Sequence, residues 1–302
     1  MLAILLILLR GVVWFSVGCF FFMFVLLVRN TFLPRYPYEI SLEKMGLPGE
    51  EVHFKSRDGL LLSGTLLISK RENPWMVLCH GVGANRYDLI GIAKFLYDEG
   101  SFNLFLFDFR GHGKSKGWAT SFGYHEQKDL LGALDYLDGQ KETSHRYGLY
   151  GISMGASVGI LVAVKDPRIL ALCLDSPFVD LAESMAIHFR LLYPLPKFPF
   201  LTLAYLSYNI RFLTDIRQVS PIHVVHHIAP RPLFIINGSA DDRMTSARAR
   251  ALYEKAHEPK RLWLIPGAGH LEGMAVAPTE YQREVLRFFR KALAPVLVEE
   301  KR

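Results

Sequence analysis

Short apolar runs alternate with amphipathic segments along most of the chain, and this alternation predicts its secondary structure. Buried strands are predicted at residues 75–79, 103–107, 146–150, 169–174, 232–236 and 261–265. Helices are predicted at residues 87–98, 124–138, 154–165, 246–257 and 279–293. Strands that are apolar throughout are covered on both faces, so the pattern favours a mostly parallel sheet between layers of helices.

Two departures from this alternation are informative. Residues 52–56 and 60–68 read as strands joined by the turn Arg57-Asp58-Gly59, which predicts an antiparallel hairpin at the start of the domain. The stretch between residues 174 and 232 is too long for a simple connection and is rich in aromatic residues. We expect a small helical cap over a site at about residues 177–229; an ordinary helix pair on the domain edge is the alternative.

The amino terminus is strongly apolar. Between residues 2 and 28 only Arg10 and Ser16 are polar, and a helix from Gly11 to Val28 would rise about 27 Å, close to the roughly 30 Å of bilayer hydrocarbon. We predict a transmembrane anchor at residues 1–30. A cleaved signal peptide is the alternative, but the apolar run is too long and no small-x-small cleavage site follows Val28.

The remaining divisions follow from this anchor. Residues 31–50 contain Pro34, Pro37 and Pro48 and are predicted to be a linker. A single globular domain is predicted at residues 51–295, with a short tail at 296–302. Because every candidate catalytic motif lies beyond the linker, we expect the anchor to be separable from an active, soluble domain.

Composition narrows the possible partners. The chain of 302 residues has a formal net charge of +6, but its Lys and Arg residues form no tract of the kind that binds nucleic acid. At most, the charge favours an anionic membrane surface. The cysteines Cys19, Cys79 and Cys173 all lie in apolar runs. No disulfide is therefore expected, and Cys19 is predicted to face lipid.

The sequence Gly151-Ile152-Ser153-Met154-Gly155 follows an apolar run and precedes a predicted helix. This order is typical of a sharp strand-to-helix turn that presents the serine hydroxyl at its apex. Glycine is needed on both sides because strand and helix approach closely there. Ser153 is therefore the candidate nucleophile. The alternative is a glycine-rich loop that contains a serine by chance, since it would show the same five-residue pattern.

A serine nucleophile needs a base and an acid that orients the base. His270 lies in a glycine-rich loop directly after the last predicted strand, which suits a catalytic base. Asp241 follows the preceding strand and is the candidate acid. Asp242 is its nearest competitor, and Asp175 is a weaker one.

The tetrahedral oxyanion requires two hydrogen-bond donors. One is predicted to be the backbone N–H of Met154, at the start of the helix after Ser153. The other is predicted to be the N–H of Val82, in the loop His80-Gly81-Val82-Gly83 that follows a strand.

Taken together, these motifs resemble the α/β-hydrolase superfamily, in its serine-hydrolase branch with a short cap. The resemblance also includes the loop Asp108–Ser115 and the pair Gly269-His270, and it covers about residues 52–293. It implies an α/β fold with a mostly parallel eight-stranded sheet and a two-step acyl transfer that needs no cofactor and no metal. It also implies structural roles for Arg110 and His112. One departure is Asn237, where the family often has histidine.

The resulting expectation is a membrane-anchored serine hydrolase that acts on a small-molecule carboxylic ester. Uncharged short-to-medium acyl esters, including monoacylglycerol-like lipids, are favoured by the apolar cap. A peptidase or amidase, a thioesterase and a non-catalytic interaction module on the same fold remain alternatives. Arg29 and Arg35 slightly favour a cytoplasmic catalytic domain, and the sequence leaves the side of the membrane and the oligomeric state open.

Overall fold

One eight-stranded sheet organises the molecule, in the strand order β1-β2-β4-β3-β5-β6-β7-β8. The computed structural model describes residues 1–36, 42–70, 73–140 and 147–294. The strands are β1 (Glu50–Lys55), β2 (Leu61–Leu67), β3 (Trp75–Cys79), β4 (Asn103–Phe107), β5 (Tyr147–Ile152), β6 (Ile169–Asp175), β7 (Leu233–Gly238) and β8 (Lys260–Ile265). Strands β1 and β2 run antiparallel to their neighbours and the others are parallel, which confirms the predicted fold.

Nine α-helices are assigned among the described residues. They are α1 (Leu2–Thr31), α2 (Ile90–Asp98), α3 (Glu126–Asp138), α4 (Met154–Ala163), α5 (Leu181–Leu192), α6 (Lys197–Phe212), α7 (Ser246–Lys255), α8 (Gly273–Val276) and α9 (Pro278–Ala292). Every predicted helix is present, with ends displaced by up to three residues. The largest displacement is at α2, because Arg86–Leu89 form a separate 3-10 turn that Asn85 caps. Arg146, the predicted start of β5, lies outside the described residues.

The sheet is buried on both faces, as its apolar strands predict. In β3, Val77 and Cys79 point into the cluster that includes α3 and α4, whereas Met76 and Leu78 point into the cluster that includes α2 and α9. Cys79 and Cys173 are both unpaired and buried, as expected. Strand β3 pairs in parallel with β4 on one side and β5 on the other, so the order in which strands are added to the sheet reverses there. Ligands of such sheets bind outside the carboxyl ends of the strands at this reversal.

The predicted cap is an insertion between β6 and β7. It consists of α5, α6 and three short 3-10 turns, Ile216–Gln218, Pro221–His223 and Val225–Ile228. The hydroxyl of Tyr208 on α6 donates to the carbonyl of Ser121 in the body of the domain, 2.7 Å away. The cap is therefore attached to the domain through buried contacts.

Helix α1 is 30 residues long and is the one described helix long and apolar enough to cross a membrane. This finding rests on length and composition, and an amino-terminal signal sequence meets the same criteria. The helix is exposed along most of its length, but Met23, Leu27 and Thr31 on its last turns are buried. Cys19, expected to face lipid, is half-buried.

The last third of α1 packs against the cap, which the sequence did not predict. Met23 forms an apolar cluster with Phe189 of α5 and Ala204 of α6. The carbonyl of Thr31 accepts a hydrogen bond of 3.0 Å from the N–H of Thr120. The hydroxyl of Thr31 accepts a hydrogen bond from Arg211. Part of α1 therefore packs into the globular domain, so separation at residue 30 would remove contacts that the sequence did not indicate.

The predicted linker is also attached to the domain where the structure describes it. The guanidinium of Arg35 donates to the carbonyl oxygens of Gly113 and Gly117, and Leu42 and Leu47 are buried. Pro37 lies outside the described residues, as does the tail. The bonds of Arg35 to the domain weaken its use as an indicator of membrane orientation.

Truncation measures how much α1 contributes. Deleting residues 2–21 leaves Met23 and Leu27 in place, so the free energy of unfolding should change little. Deleting residues 2–30 removes both side chains and should lower it by about 3–6 kcal/mol, because a buried side chain of this size contributes roughly 1.5–3 kcal/mol. Chemical unfolding of the two truncated chains in detergent provides the comparison. Equal stabilities would show that the contact with the cap is incidental.

Candidate active site

Ser153 lies at a strained turn between β5 and α4. Its φ and ψ angles are 48° and −115°, a backbone conformation that residues other than glycine rarely adopt. A Cβ atom at Gly151 would lie 2.7 Å from the backbone nitrogen of Ala156, and one at Gly155 would lie 2.3 Å from the carbonyl oxygen of Cys79. Both flanking glycines are therefore required, as the motif predicts.

The turn is held in place by the neighbouring strand. The N–H of Ser153 donates to the carbonyl oxygen of Asp175 at the end of β6, 2.8 Å away. The carbonyl of Ser153 accepts from the N–H of Ser157 in the first turn of α4. The backbone of the serine is thus fixed on both sides while its hydroxyl faces a cavity.

The predicted base and acid meet Ser153. The Nε2 atom of His270 lies 3.3 Å from the Oγ of Ser153, and its Nδ1 lies 2.8 Å from the Oδ2 of Asp241. The three side chains come from loops after β5, β7 and β8, all at the carboxyl edge of the sheet. This arrangement lets a proton move from serine to imidazole while the carboxylate fixes the ring.

Asp241 is held as an ionised carboxylate. Its Oδ1 accepts hydrogen bonds from the N–H groups of Arg243 and Met244, at 2.9 and 2.7 Å. Burial alone would raise its pKa, but the hydrogen bonds from His270 and from the Met244 N–H outweigh burial, so the pKa is lower than usual. The geometry thus separates the two adjacent candidates, because Asp242 is exposed.

Asp175, the weaker candidate, is engaged elsewhere. Its carboxylate accepts from the hydroxyl of Tyr281 at 2.6 Å and from the hydroxyl of Ser176 at 2.9 Å. The Tyr281 hydroxyl also lies 2.7 Å from that of Tyr150. Burial raises the pKa of Asp175. This buried network lies beneath the turn. It holds Asp175, whose backbone carbonyl accepts the hydrogen bond from the N–H of Ser153.

The acid and base loops are bonded to each other, which fixes Asp241 relative to His270. The N–H of Ala240 donates to the carbonyl of Ala268 at 2.9 Å, and the hydroxyl of Ser239 accepts from the N–H of Gly267 at 2.8 Å. A Cβ at Gly238 would lie 2.2 Å from the carbonyl oxygen of Ala268. Only glycine therefore lets the two loops approach this closely.

Asn237 occupies the position at which the resemblance favoured histidine. Its Nδ2 atom donates to the carbonyl of Met244 at 2.7 Å and to that of Gly238 at 2.9 Å. These bonds close the loop that carries Asp241. The departure from the family pattern therefore still gives a residue that supports the acid.

Two buried histidines shape the loop that carries Val82. The Nε2 of His112 accepts from the N–H of Gly83 at 3.1 Å, and the N–H of Ala84 donates to the carbonyl of Gly81. The Nε2 of His80 accepts from the N–H of Phe109 at 3.0 Å. The N–H groups of Gly83 and Ala84 are thus both hydrogen-bonded, one to His112 and one within the loop. Val82 and Met154 both line the cavity beside Ser153.

A buried ion pair supports the same loop. The guanidinium of Arg86 lies 2.6 Å from the carboxylate of Asp108, and both side chains are fully buried. The other oxygen of Asp108 accepts from the backbone N–H of Arg86 at 2.8 Å. A Cβ at Gly113 would lie 2.3 Å from this carboxylate. Arg110 is likewise structural, since it binds Asp129.

A cavity of about 410 Å³ opens beside the Ser153 hydroxyl. Most of its lining is apolar, and among the described residues its basic side chains are His188, Arg243 and His270. The cap contributes Phe178, Leu181, Met185, Phe189, Leu192 and Tyr193. The cap thus forms one wall of this cavity, while its Leu191 and Phe198 are exposed.

The sequence did not indicate one part of this site. Met23, Leu26, Leu27 and Asn30 of α1 also line the cavity. A helix that is apolar on all sides has the same composition whether it faces lipid or protein, so no pattern separated these positions from the rest. The role of His112 in holding Gly83 was likewise not predicted beyond a general structural role.

Comparison with known proteins identifies the family. Residues 76–285 match the model of the alpha/beta hydrolase family. The chain is 31% identical to YqkD of Bacillus subtilis over 218 residues, which cover 70% of each protein. It is 30% identical to YfhR of Escherichia coli K12 over 256 residues, which cover 82% of each. The protein therefore belongs to the alpha/beta hydrolase family and is a hydrolase.

Solved structures of other proteins resemble most of this chain. The esterase Pf2001 of Pyrococcus furiosus superposes with a TM-score of 0.72 at 25% identity, covering 86% of this chain and 99% of that one. The alpha/beta hydrolase GrgF of a Penicillium species superposes with a TM-score of 0.64 at 20% identity, covering 82% of this chain and all of the other. The second similarity concerns the fold alone.

Paired substitutions test the choice of acid. Asp241→Asn retains an oxygen for the N–H groups of Arg243 and Met244 but presents His270 with a wrong charge or a wrong tautomer. We expect kcat to fall by about 10⁴, as in other serine triads. Asp242→Asn, at the adjacent exposed position, is the control and should leave kcat nearly unchanged. Steady-state hydrolysis of p-nitrophenyl butyrate measures both, and the reverse ranking would assign the role to Asp242.

Acid should destabilise the fold through His80. Burial, together with the neighbouring His112, lowers the pKa of His80 to about 3, against about 6.5 in an unfolded chain. Between these values the unfolded state binds a proton that the folded state excludes. Above pH 6.5 the free energy of unfolding should therefore not depend on pH through His80. Between pH 6.5 and about pH 3 it should fall by up to about 1.4 kcal/mol for each unit of decreasing pH.

Urea unfolding of the wild type and of His80→Gln at pH 7.5 and pH 5 separates this contribution from that of other groups. The variant should be less stable at pH 7.5 but should lose less stability on acidification. An equal loss in the two proteins would exclude His80 as the group responsible.

Proposed function

We propose that the protein is a membrane-anchored serine hydrolase that cleaves uncharged carboxylic esters with short-to-medium acyl chains, including monoacylglycerol-like lipids. The observation that carries the proposal is the hydrogen-bonded series Ser153, His270 and Asp241 at the wall of an apolar cavity. Membership of a hydrolase family and the likeness to an esterase support the same reaction class.

The first half of the reaction acylates the enzyme. The Oγ of Ser153 attacks the ester carbonyl carbon while the Nε2 of His270 takes the hydroxyl proton, and Asp241 stabilises the imidazolium that forms. The 3.3 Å separation of serine and histidine is suited to a bond that tightens when substrate binds. The carbonyl oxygen becomes an oxyanion, which accepts hydrogen bonds from the N–H groups of Val82 and Met154.

The second half releases the acid. The tetrahedral intermediate collapses, the bond to the alcohol oxygen breaks, and His270 returns its proton to the departing alcohol. Water then attacks the acyl group on Ser153, with His270 again as the base, and collapse of the second intermediate frees the carboxylic acid and restores the serine hydroxyl. Every step uses groups of this chain and water.

The cavity favours apolar acyl groups. Its volume of about 410 Å³ lies within the range of small-molecule sites. Among the described residues no carboxylate lines it, so the ammonium group of a peptide substrate would find no anionic partner there. An acyl chain can instead bury its methylenes against Phe178, Met185 and Phe189.

The packing of α1 supports an uncleaved anchor over a signal sequence. Cleavage near Val28 would remove Met23, Leu26 and Leu27 from the cavity wall and expose the apolar surface of the cap. A signal sequence that is removed during export is not expected to form part of the substrate cavity. The helix can therefore remain as a single-pass anchor and as part of the enzyme.

A series of p-nitrophenyl esters from acetate to laurate tests the proposal. Each buried methylene contributes about 0.8 kcal/mol, so kcat/KM should rise roughly fourfold per added CH₂ until the cavity is full. Ser153→Ala should abolish this turnover and also labelling by a fluorophosphonate. Ser207→Ala on α6, where the hydroxyl lies outside the cavity and has no hydrogen-bond partner among the described residues, should retain both. The thermal stability of the two variants serves as the folding control.

The outcomes separate the alternatives. Faster cleavage of aminoacyl amides or acyl thioesters than of any oxygen ester would favour a peptidase, amidase or thioesterase. Absence of labelling in the folded wild-type protein would favour a non-catalytic module. Full labelling of Ser153→Ala would show that another residue is the nucleophile.

A further inference from the structure

The last turns of α1 form one wall of the cavity that contains Ser153. Met23, Leu27 and Asn30 are spaced four and three residues apart, so they share one face of the helix. Met23 and Leu27 are only 3% and 7% exposed. The same cavity is lined by Ser153 and His270, so a group bound to the serine lies in a space that α1 helps to enclose.

This wall is fixed to the cap rather than resting loosely beside it. The amide of Asn30 donates to the hydroxyl of Tyr193 at 2.8 Å. Arg211, at the far end of α6, donates to the hydroxyl of Thr31. Met23 and Leu27 therefore occupy defined positions, and the space between α1 and α5 has a defined size.

The opposite face of the same turns is exposed. Phe22 and Val25 are 49% and 47% exposed, although they lie beside the buried Met23. Arg10 and Arg29 bracket a stretch without charged residues, in which Ser16 is the polar exception, and as a helix it would rise about 27 Å, close to the hydrocarbon thickness. With α1 so placed in a bilayer, its last turns contact lipid on one face and the cavity on the other.

The mouth of the cavity lies beside these turns. Leu192 of α5 lines the cavity and is 63% exposed, so the cavity reaches the surface of the cap there. The next residue, Tyr193, accepts the hydrogen bond from Asn30 of α1. An apolar opening therefore lies next to the last turns of the proposed anchor.

We propose that α1 is a substrate-specificity element: an acyl chain enters the cavity from the surrounding lipid leaflet alongside α1 and lies against Met23 and Leu27, which set its length. This inference rests on the ester hydrolysis proposed above. It assigns to the anchor a part in substrate recognition in addition to attachment.

Tryptophan substitutions test the wall. Met23→Trp and Leu27→Trp, in the full-length chain, fill the space that the acyl chain would occupy, whereas Val25→Trp adds the same ring to the exposed face and is the matched control. The measured quantity is the ratio of kcat/KM for the decanoate ester to kcat/KM for p-nitrophenyl acetate within each variant. It should stay near the wild-type value in Val25→Trp and fall at least about tenfold in Met23→Trp and Leu27→Trp, since each lost methylene contact costs roughly fourfold.

A smaller side chain should act in the opposite direction. Met23→Ala enlarges the cavity and should move the optimum of the ester series to a longer chain. The rate of Ser153 labelling by a small fluorophosphonate identifies any variant whose active site is damaged, because that probe does not need the wall. Unchanged chain-length profiles in Met23→Trp, Leu27→Trp and Met23→Ala, with Ser153 still labelled at the normal rate, would overturn the inference.

The route from the leaflet requires a separate measurement. Full-length protein is reconstituted in phosphatidylcholine vesicles, and a long-chain ester that does not exchange between vesicles during the assay is placed in the same or in separate vesicles. Cleavage confined to the same vesicles is expected, and equal cleavage in both arrangements would overturn entry from the leaflet. Failure of the proposed function is distinguishable, because the wild type would then cleave no ester, or Ser153→Ala would remain active.

Discussion

The site depends on one close approach, between the start of α4 and the end of β3. Gly155 brings the helix so near to Cys79 that no side chain fits between them. This contact forces Ser153 into its positive φ angle and presents its hydroxyl above the sheet edge. The same approach places the first turn of α4 beside the loop of Val82, so the nucleophile and the proposed oxyanion donors are positioned by one packing constraint. The strain is supported by the buried carbonyl of Asp175, which holds the serine N–H.

Much of this arrangement could be predicted because it depends on local sequence. The Ser153 motif needs glycine at fixed positions, and the sheet follows from strands that are apolar throughout, so the core of the fold was confirmed in detail. The sequence already favoured Asp241 over Asp242 as the candidate acid, but only the structure shows the directions that the turn gives these two adjacent side chains. The Oδ1 bonds of Asp241 to two backbone N–H groups fix that direction.

Long-range packing could not be predicted in the same way. The docking of α1 depends on shape, since Met23 fits beside Ala204 and Phe189 while the equally apolar Val25 faces outward. Nor does sequence show that His80 and His112 act as neutral acceptors for backbone N–H groups, which requires their burial. In both cases the outcome depends on which surface of the folded protein the side chain contacts. The hydrophobic pattern does not show contacts with residues that are distant in the sequence.

On the proposed membrane placement, the fixed contact between α1 and the cap would couple catalysis to the bilayer. If the helix ran into a flexible linker, the domain could rotate freely and the thickness of the membrane would not matter to it. Here the hydrogen bonds of Asn30 and Thr31 transmit any tilt of α1 to the helices that enclose the cavity. A helix of this length tilts more in a thin bilayer than in a thick one. On the proposed placement, the lipid composition of the membrane therefore becomes a physical variable that acts on the shape of the substrate site.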